Sequence, residues 1–472
     1  MLFNSLDFAL FFPFTVLIYF ALTQKLRNAF LLAASCFFYM VFIPKYILIM
    51  LTTILIDYFA AILISNTDSK PKRKYYLIGS IVSTCLVLFI FKYYNFFAFN
   101  TYLVSKYFSW GIIPPKLTWL LPIGLSFHTF QSLSYVIEVY RKSQKAEKNF
   151  LTYALYVIFF PTAVAGPIER PQNLLHQFYE KHLFNYEDAT SGLKLIAWGL
   201  FKKVVIADRL ASTVNLVFGS PQGFVGGDLI LAVIFFSIQI YCDFSGYTDM
   251  AIGSARVLGF KLTKNFDAPY QATSVSDFWK RWHISLSSWF RDYVYISLGG
   301  NRVKVSRLYL NIMFTFVLSG FWHGANFTFL AWGALNGLYL IAEHILNGRG
   351  VLERWSLPAK RVLTFTLISF AWVLFRAKDM TDAGYIWANI LTGFFEQPLP
   401  DLAKLNMSFN ELILCLGLIV FLEGSQYQSV RKAFFDVHIA RPWFRWASYY
   451  AIVCAILFWG VFEAHSFIYF QF

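Results

Sequence analysis

The chain has 472 residues, and aromatic side chains make up 20% of them (54 Phe, 28 Tyr and 14 Trp). Charged residues make up only 14%, against roughly 25% in ordinary soluble domains. This composition excludes a single soluble globule and predicts a protein with several membrane-spanning helices. The net charge of +14 indicates Lys- and Arg-rich cytoplasmic loops, and no nucleic-acid partner is predicted.

Five apolar segments open the chain, and we predict membrane spans at residues 8–23, 29–44, 46–65, 75–97 and 117–140. The first segment has no basic region before it and no small-residue cleavage site, so we expect it to be retained and not removed as a signal peptide. Basic residues follow the first, third and fifth spans: Lys25, Arg27, Lys70, Lys72, Arg73, Lys74, Arg141, Lys142, Lys145 and Lys148. The positive-inside rule places these residues in the cytoplasm, which predicts an N-terminus outside.

Two proline-containing stretches, residues 112–124 and 159–171, interrupt the apolar pattern of the middle of the chain. Proline lacks a backbone donor and clashes with the preceding helical turn, so these stretches cannot all be straight lipid-exposed helices. We predict broken or re-entrant helices around an internal cavity. The alternative is that both stretches are ordinary loops between spans.

The long apolar stretch 228–258 contains the polar side chains of Asp243, Ser245 and Asp249. Buried carboxylates need cationic partners, and Arg281 or Arg291 is the predicted partner.

Residues 272–307 are too rich in charge for a lipid-facing span. Apolar side chains recur at three- and four-residue spacing, which predicts an amphipathic helix at an interface or along a polar cavity. They are Phe278, Trp282, Leu286, Trp289, Tyr293 and Ile296. This helix carries His283 beside Lys280, Arg281 and Arg291, and guanidinium groups bind anionic groups such as phosphate. The alternative is a basic helix face that contacts lipid phosphates at the cytoplasmic surface.

The last part of the chain returns to apolar spans, predicted at residues 308–320, 325–346, 360–376, 411–424 and 446–470. His323 lies within this apolar sequence, between Gly320 and Gly324. Ionisable side chains inside membrane segments are rare and usually functional, and histidine can accept a proton near neutral pH. The alternative is a core histidine that is hydrogen-bonded to a backbone carbonyl.

Sequence motifs for several other activities are absent. There is no P-loop, no GxGxxG after a strand, no GxSxG and no HExxH sequence, and the five cysteines form no CxxC pair. The sequence therefore indicates no metal site and no disulfide framework.

Two blocks, SVSDFWKRWHISLSSWFRDYVYISLGGNR (274–302) and LSGFWHGANFTFLAWGALNG (318–337), resemble the signature region of the membrane-bound O-acyltransferase superfamily. The resemblance is to its bacterial alginate O-acetyltransferase-like branch. Further blocks in family order support it, namely LPIGLSFHTFQSLSYVIEVYR (121–141), FFPTAVAGPIERP (159–171) and YCDFSGYTDMAIG (241–253). The sequence departs from many relatives at FDAPY (266–270).

The resemblance implies that His323 is the essential membrane histidine and that His283 is the second catalytic histidine, toward the cytoplasmic end of a channel. It implies acetyl-CoA as the donor substrate, with no permanently bound cofactor. Together with the residues around both histidines, it gives a set of candidates for binding donor or substrate: Arg281, Lys280, Arg291, Trp282, Trp279, Trp322, Asn326, Ser319, Asp243 and Ser245. Among them, Asn326 and Ser319 are expected to stabilise the developing oxyanion.

We therefore predict an all-α, polytopic bundle of about 11–13 membrane helices around a central channel. The whole chain, 1–472, is one membrane-embedded domain with N-terminal spans (1–110), a motif-bearing core (111–347) and C-terminal spans (348–472). The resemblance implies transfer of an acetyl group from cytoplasmic acetyl-CoA across the inner membrane. It also implies that the acceptor is an alginate-like exopolysaccharide or peptidoglycan, reached through a separate periplasmic acyltransferase.

Two alternative functions remain. One is D-alanyl transfer toward teichoic acid, the reaction of a related branch. The other is transport of a glycan or lipid-linked intermediate with the histidines as a proton relay, although such transporters usually contain inverted repeats and this sequence shows none.

Overall fold

The computed structural model of the protein describes residues 1–472 apart from 165, 428, 431, 433–435, 438–439, 463–467 and 469–472. It is 77% helical and contains no strand among the described residues, which confirms the predicted all-α fold. In chain order the helices are α1 (Leu6–Ala21), α2 (Gln24–Met40), α3 (Ile47–Ser65), α4 (Lys70–Leu88), α5 (Tyr94–Tyr107), α6 (Leu125–Arg141), α7 (Phe150–Ile158), α8 (Phe160–Ala163), α9 (Pro171–Leu174), α10 (Tyr186–Leu200), α11 (Asp208–Gly219), α12 (Gly226–Val257), α13 (Val275–Arg281), α14 (Ile284–Phe290), α15 (Val305–His323), α16 (Phe327–Gly348), α17 (Leu357–Arg376), α18 (Met380–Glu396), α19 (Phe409–Ser425) and α20 (Pro442–Trp459).

Six helical segments in the described part of the chain are long and apolar enough to cross a membrane. They are Pro44–Ser65, Lys70–Tyr107, Gly226–Val257, Val305–His323, Phe327–Gly348 and Leu357–Arg376. A shorter apolar helix, Leu6–Ala21, precedes them. The protein is thus a multi-pass membrane protein, while the total of 11–13 membrane helices stays a prediction.

The chain divides into two compact units, with one boundary inside α10, one inside α12 and one between Lys264 and Asn265. Unit 1 contains Met1–Ile196 and Ala251–Lys264, and unit 2 contains Ala197–Met250 and Asn265–Phe472. The assignment of the whole chain to one functional domain stays a prediction.

Several helix boundaries differ from the predicted spans for local reasons. The predicted span 75–97 is part of one helical segment, Lys70–Tyr107, which contains a π-helical turn. The predicted span 117–140 begins only at Leu125, because Gly124 has a left-handed backbone (φ 77°). A Cβ atom on Gly124 would lie 2.3 Å from the carbonyl oxygen of Ala163, so this close approach requires glycine.

Other differences concern the later helices. The predicted span 446–470 is a helix only as far as Trp459, and its residues 463–467 and 469–470 lie outside the described residues. Helices α10, α11 and α18 were not among the predicted spans.

The proline-containing stretch 159–171 is a broken helix, as predicted. The other stretch, 112–124, contains no helix, so the prediction was wrong there and the alternative of a connecting loop holds. Helix α7 ends at Ile158, the four-residue α8 follows, and α9 begins at Pro171. The described residues of 159–171 are buried, apart from the half-buried Arg170, so this stretch is not a surface loop. Its Glu169 is fully buried and accepts hydrogen bonds from the backbone N–H and the Oγ1 hydroxyl of Thr263, at 2.6 and 2.9 Å.

The core of unit 2 contains many aromatic rings, which accounts for part of the aromatic excess in the sequence. Trp282, Trp332 and Trp372 are almost completely buried. The Trp332 and Trp372 rings stack with centroids 5.8 Å apart, and the Trp282 ring lies 5.0 Å from that of Trp372. Such pairs add about 0.5–1.5 kcal/mol each beyond the burial of apolar area. These rings form a rigid apolar wall beside the two histidines.

Candidate active site

A cavity of about 470 Å³ in unit 2 brings the two predicted histidines together. His283 and His323 both line it, although 39 residues separate them in the sequence. Other predicted site residues on its wall are Trp279, Lys280, Trp282, Arg291 and Ser319. Its volume lies within the range of about 300–1,000 Å³ typical of small-molecule sites.

His283 lies at a break in the helix, which corrects the prediction of one continuous amphipathic helix over 272–307. Helix α13 ends at Arg281, α14 begins at Ile284, and a π-helical turn follows at Arg291–Tyr295. The backbone of His283 is left-handed (φ 42°, ψ 56°), which is rare for a residue with a side chain. The break therefore turns the chain at the residue that carries the imidazole.

The turn at His283 is held by the preceding segment 265–267. The Ile284 N–H donates to the carbonyl oxygen of Asn265, and the Asp267 N–H donates to that of Arg281, both at 2.9 Å. The imidazole is 1% exposed and packs edge-on against the ring of Phe244, with centroids 4.6 Å apart. Burial lowers the pKa of His283 to about 3, so its imidazole is neutral at physiological pH.

His323 is the last residue of α15 and is 7% exposed. Its ring contacts three aromatic rings, with centroids 4.8 Å from Trp322 and 5.2 Å from both Trp332 and Phe375. The His323 imidazole therefore lies in an aromatic environment on the cavity wall, at the end of a membrane-spanning helix.

Close packing of α15 against α16 fixes the position of His323. A Cβ atom on Gly320 would lie 2.2 Å from the carbonyl oxygen of Phe329, and one on Gly333 would lie 2.3 Å from that of Phe316. Only glycine allows the two backbones to approach this closely.

The predicted basic residues separate into two kinds. Lys280 and Arg291 line the cavity, and both are exposed, with the Arg291 side chain 64% exposed and 2.8 Å from Asp292. Arg281 does not line the cavity, and its Nε atom pairs with Asp277 at 2.8 Å. The cavity thus has a positively charged rim.

The predicted partners of the α12 carboxylates were wrong. Asp243 and Asp249 pair with Lys203 and Lys202, at 2.6 and 2.7 Å, and not with Arg281 or Arg291. Lys203 also pairs with Asp208 at 2.8 Å, while Lys202 donates to the Ser245 hydroxyl at 2.8 Å.

This buried network lies outside the cavity wall, and neither Asp243 nor Ser245 lines the cavity. The sequence contained a signal for the two lysines, since they are adjacent in the apolar run GLFKKVVIA (199–207), but they were not predicted.

The remaining predicted residues lie near His323. Asn326 caps α16, where its Oδ1 atom accepts from the Thr328 N–H at 3.2 Å and its Nδ2 atom donates to the Lys378 carbonyl at 3.0 Å. Trp322 packs on His323 without lining the cavity. The oxyanion role of Asn326 and Ser319 stays a prediction, and the placement of Ser319 on the cavity wall favours it over Asn326.

A helical membrane protein with two buried histidines on one basic-rimmed cavity has the arrangement expected of a membrane-embedded group-transfer enzyme. The family model described as MBOAT, membrane-bound O-acyltransferase family, matches residues 48–348, which is more than half of the chain. The chain belongs to the membrane-bound O-acyltransferase family and is an O-acyltransferase. This confirms the resemblance predicted from the sequence.

The chain is similar to several curated proteins. Probable alginate O-acetylase AlgI of Pseudomonas aeruginosa is 38% identical over 90% of this chain and 82% of its own length. Peptidoglycan O-acetyltransferase of Helicobacter pylori is 35% identical over 81% of this chain and 78% of its own length. Teichoic acid D-alanyltransferase of Bacillus subtilis is 27% identical over 54% of this chain and 69% of its own length. The O-acetylating relatives thus match more of the chain than the D-alanylating one.

Proposed function

We propose that this O-acyltransferase moves acetyl groups from cytoplasmic acetyl-CoA across the membrane. The acetyl groups are used for O-acetylation of an exported or cell-wall polysaccharide. The observation that carries the proposal is the presence of His283 and His323 on one cavity. The high-coverage relatives named as O-acetylating enzymes support acetyl as the acyl group.

The charge around the cavity supports a CoA thioester as the donor substrate. CoA is anionic through its phosphates, and Lys280 and Arg291 supply donors for such groups at an exposed rim. No permanently bound cofactor is required by the proposed reaction. We place the protein in the inner membrane with the N-terminus outside, which the basic residues after the first, third and fifth predicted spans support.

The proposed reaction uses His323 as the general base. Its imidazole takes the proton of an acceptor hydroxyl as the hydroxyl oxygen attacks the thioester carbonyl carbon. The new C–O bond forms, the C–S bond breaks, and the thiolate of CoA leaves and takes up the proton. General base catalysis of this kind contributes about 10²–10⁴-fold to the rate. His283 is the second proton-accepting group of the cavity, and the Ser319 hydroxyl is placed to stabilise the developing oxyanion.

The proposed final acceptor is an alginate-like exopolysaccharide or peptidoglycan, reached through a separate periplasmic acyltransferase. The names of the relatives that match most of this chain support these two polymers. D-alanyl transfer toward teichoic acid is less well supported, because that relative matches only about half of the chain.

Mass spectrometry of envelope polysaccharides from cells with and without the gene tests the proposal. We expect acetyl esters to disappear on deletion, to return with the wild-type gene and to stay absent with His323→Ala. His344→Ala is the matched control, because His344 is an exposed histidine of α16 that does not line the cavity.

Three results would change the assignment. Normal acetylation by a fully expressed His323→Ala protein would exclude His323 as the catalytic base. Loss of D-alanyl esters in place of acetyl esters would support the alternative acyl group. Purified protein that neither binds acetyl-CoA nor cleaves its thioester would favour transport.

A further inference from the structure

The side chain of Asn265 makes an unusual set of contacts beside His283. Its Oδ1 atom lies 3.1 Å from the Nδ1 atom of His283, 3.1 Å from the backbone N of Ser285 and 2.9 Å from the Ser285 hydroxyl oxygen. Asn265 is 1% exposed, and its backbone carbonyl also accepts the N–H of Ile284. One asparagine thus bonds to the backbone on the C-terminal side of the break and to the imidazole at the break.

The contacts determine which end of the Asn265 amide is the oxygen. A backbone N–H can only donate, so the atom that faces Ser285 N must be an acceptor. The Nδ2 group in that place would oppose one donor with another. The atom shared by Ser285 and His283 is therefore Oδ1, and it can only accept.

An acceptor facing Nδ1 fixes the tautomer of His283. A neutral imidazole carries one proton, on one of its two nitrogens, and a hydrogen bond at one nitrogen sets the role of the other. The Ser285 hydroxyl also lies 3.5 Å from Nδ1, but its one proton goes to the nearer Oδ1 at 2.9 Å. Because Oδ1 accepts, Nδ1 carries the proton and Nε2 keeps the lone pair.

We propose that Asn265 is a positioning residue that holds His283 as its Nδ1–H tautomer, so that Nε2 is the proton-accepting atom of this histidine. The inference rests on the proposed function only for the role of His283 in the reaction; the tautomer itself follows from the contacts of Asn265. The segment 265–267 also holds the left-handed turn through two backbone hydrogen bonds, so tautomer and ring position are set together.

Different contacts orient the two histidines of the cavity. His323 is oriented by aromatic packing, whereas His283 is oriented by an amide oxygen. The charged groups on the same cavity wall are Lys280 and Arg291, and both are cations. No carboxylate lines this cavity among the described residues, so the amide supplies the acceptor for Nδ1 without adding a negative charge beside an anionic donor.

Two variants of Asn265 distinguish its effect on the His283 tautomer from its contribution to packing. Asn265→Asp keeps an oxygen acceptor of the same shape, so we expect it to preserve the Nδ1–H tautomer. Its negative charge stabilises the protonated imidazole, so we also expect the activity profile to shift to higher pH. Asn265→Ala removes the acceptor, and we expect a mixture of tautomers and a fall in kcat of at least about tenfold.

The tautomer is read directly from ¹⁵N spectra of histidine-labelled protein in nanodiscs, with the His283 signals assigned by their absence from His283→Gln. We expect protonated Nδ1 in the wild type and in Asn265→Asp, and a changed pattern in Asn265→Ala. Ser285→Ala is the matched control, because it removes a neighbouring hydroxyl but keeps the backbone N–H that orients the amide. We expect its tautomer to match the wild type.

Two results would overturn the inference: protonated Nε2 in the wild-type protein, or an unchanged Nδ1–H signal in folded Asn265→Ala. The proposed function fails in a different way. If the tautomer changes as expected while His283→Gln keeps full acetyl transfer, the positioning by Asn265 stands and the catalytic role of His283 does not.

Discussion

The buried ion pairs of Lys203 with Asp208 and Asp243 allow a direct test of how this membrane protein tolerates buried charge. The side chains of Lys203, Asp208 and Asp243 are 1%, 4% and 3% exposed, and the single ammonium group lies within 2.8 Å of both carboxylates. Lys203→Met replaces the cation with an apolar side chain of similar length. Two buried carboxylates are then left without a cation, and Asp243 keeps only the hydrogen bond from the Ile468 N–H at 2.8 Å.

The structure gives the size and the pH dependence of the effect. Removing one partner of a buried ion pair costs about 3–5 kcal/mol, because a buried charge is left uncompensated. Burial already raises the pKa of Asp208 to about 7 in the wild type, against the attraction of Lys203. A carboxyl group whose pKa is higher in the folded state stabilises that state at low pH and loses this contribution as pH rises through 7. We therefore expect the loss in Lys203→Met to be largest near pH 8 and to shrink toward pH 5.

Thermal unfolding of the purified protein in detergent, followed by tryptophan fluorescence, measures the change. Lys202→Met is the matched control on the neighbouring residue, since its partner Asp249 is 24% exposed and can be hydrated. We expect a clearly smaller decrease in melting temperature there. The triple variant Lys203→Met, Asp208→Asn, Asp243→Asn should recover most of the lost stability, because it leaves no unpaired charge.

A Lys203→Met protein that melts like the wild type at pH 8 would contradict the expected cost of the uncompensated carboxylates. An equal loss of stability in both lysine variants would also contradict it, since the difference in burial would then have no effect.

Burial raises the pKa of Glu169 from its ordinary value of 4.5 to about 7, so the native state favours the protonated carboxyl group. The free energy of unfolding therefore falls by up to about 3 kcal/mol as pH rises from 4.5 through 7. Glu169→Gln should flatten the dependence of melting temperature on pH between 5 and 8, and parallel curves for variant and wild type would contradict this. Gly333→Ala should lower both melting temperature and acetyl transfer, because its Cβ would meet the Phe316 carbonyl oxygen at 2.3 Å and overpacking costs about 1–3 kcal/mol. Gly384→Ala is the control, as nothing lies within 4 Å of its added Cβ, and equal effects of the two variants would refute the packing argument.

The helix around His283 shows what hydrophobic periodicity can predict and what it cannot. Six residues were expected on one apolar face: Phe278, Trp282, Leu286, Trp289, Tyr293 and Ile296. The first five are buried, at 1–9% exposure, whereas Ile296, which follows the π-helical turn, is 55% exposed. The backbone that carries them is broken at His283. The spacing of apolar residues in the sequence indicates which side chains are buried. That spacing is the same whether or not one residue between them has a left-handed backbone. The burial pattern was therefore predictable, whereas the turn that orients the imidazole was not.

Contacts between residues that are far apart in the sequence could not be predicted either. That the carboxylates of α12 need cations followed from their apolar surroundings, but the choice of cation depends on which helices pack together. Lys203 and Asp243 are brought together by tertiary packing of unit 2, and no local pattern encodes that pairing. Asn265 is similar, because its role follows from a contact with a residue 18 positions away. His323 could be found from sequence because an imidazole in an apolar run is conspicuous by itself.

Burial separates the cations that are accessible to the proposed anionic donor from those that are not. Arg291 is paired with Asp292, but its side chain is 64% exposed. Lys202 and Lys203 are buried and neutralised by carboxylates within 2.8 Å, so binding an anion there would first require breaking those pairs. Lys280 and Arg291 are exposed on the wall of the cavity that holds both histidines. Their charge acts across solvent on an approaching phosphate at little desolvation cost. We therefore propose different roles for the two pairs of cations. The buried lysines compensate the charge of the buried carboxylates, and the exposed pair attracts the proposed anionic donor to the cavity.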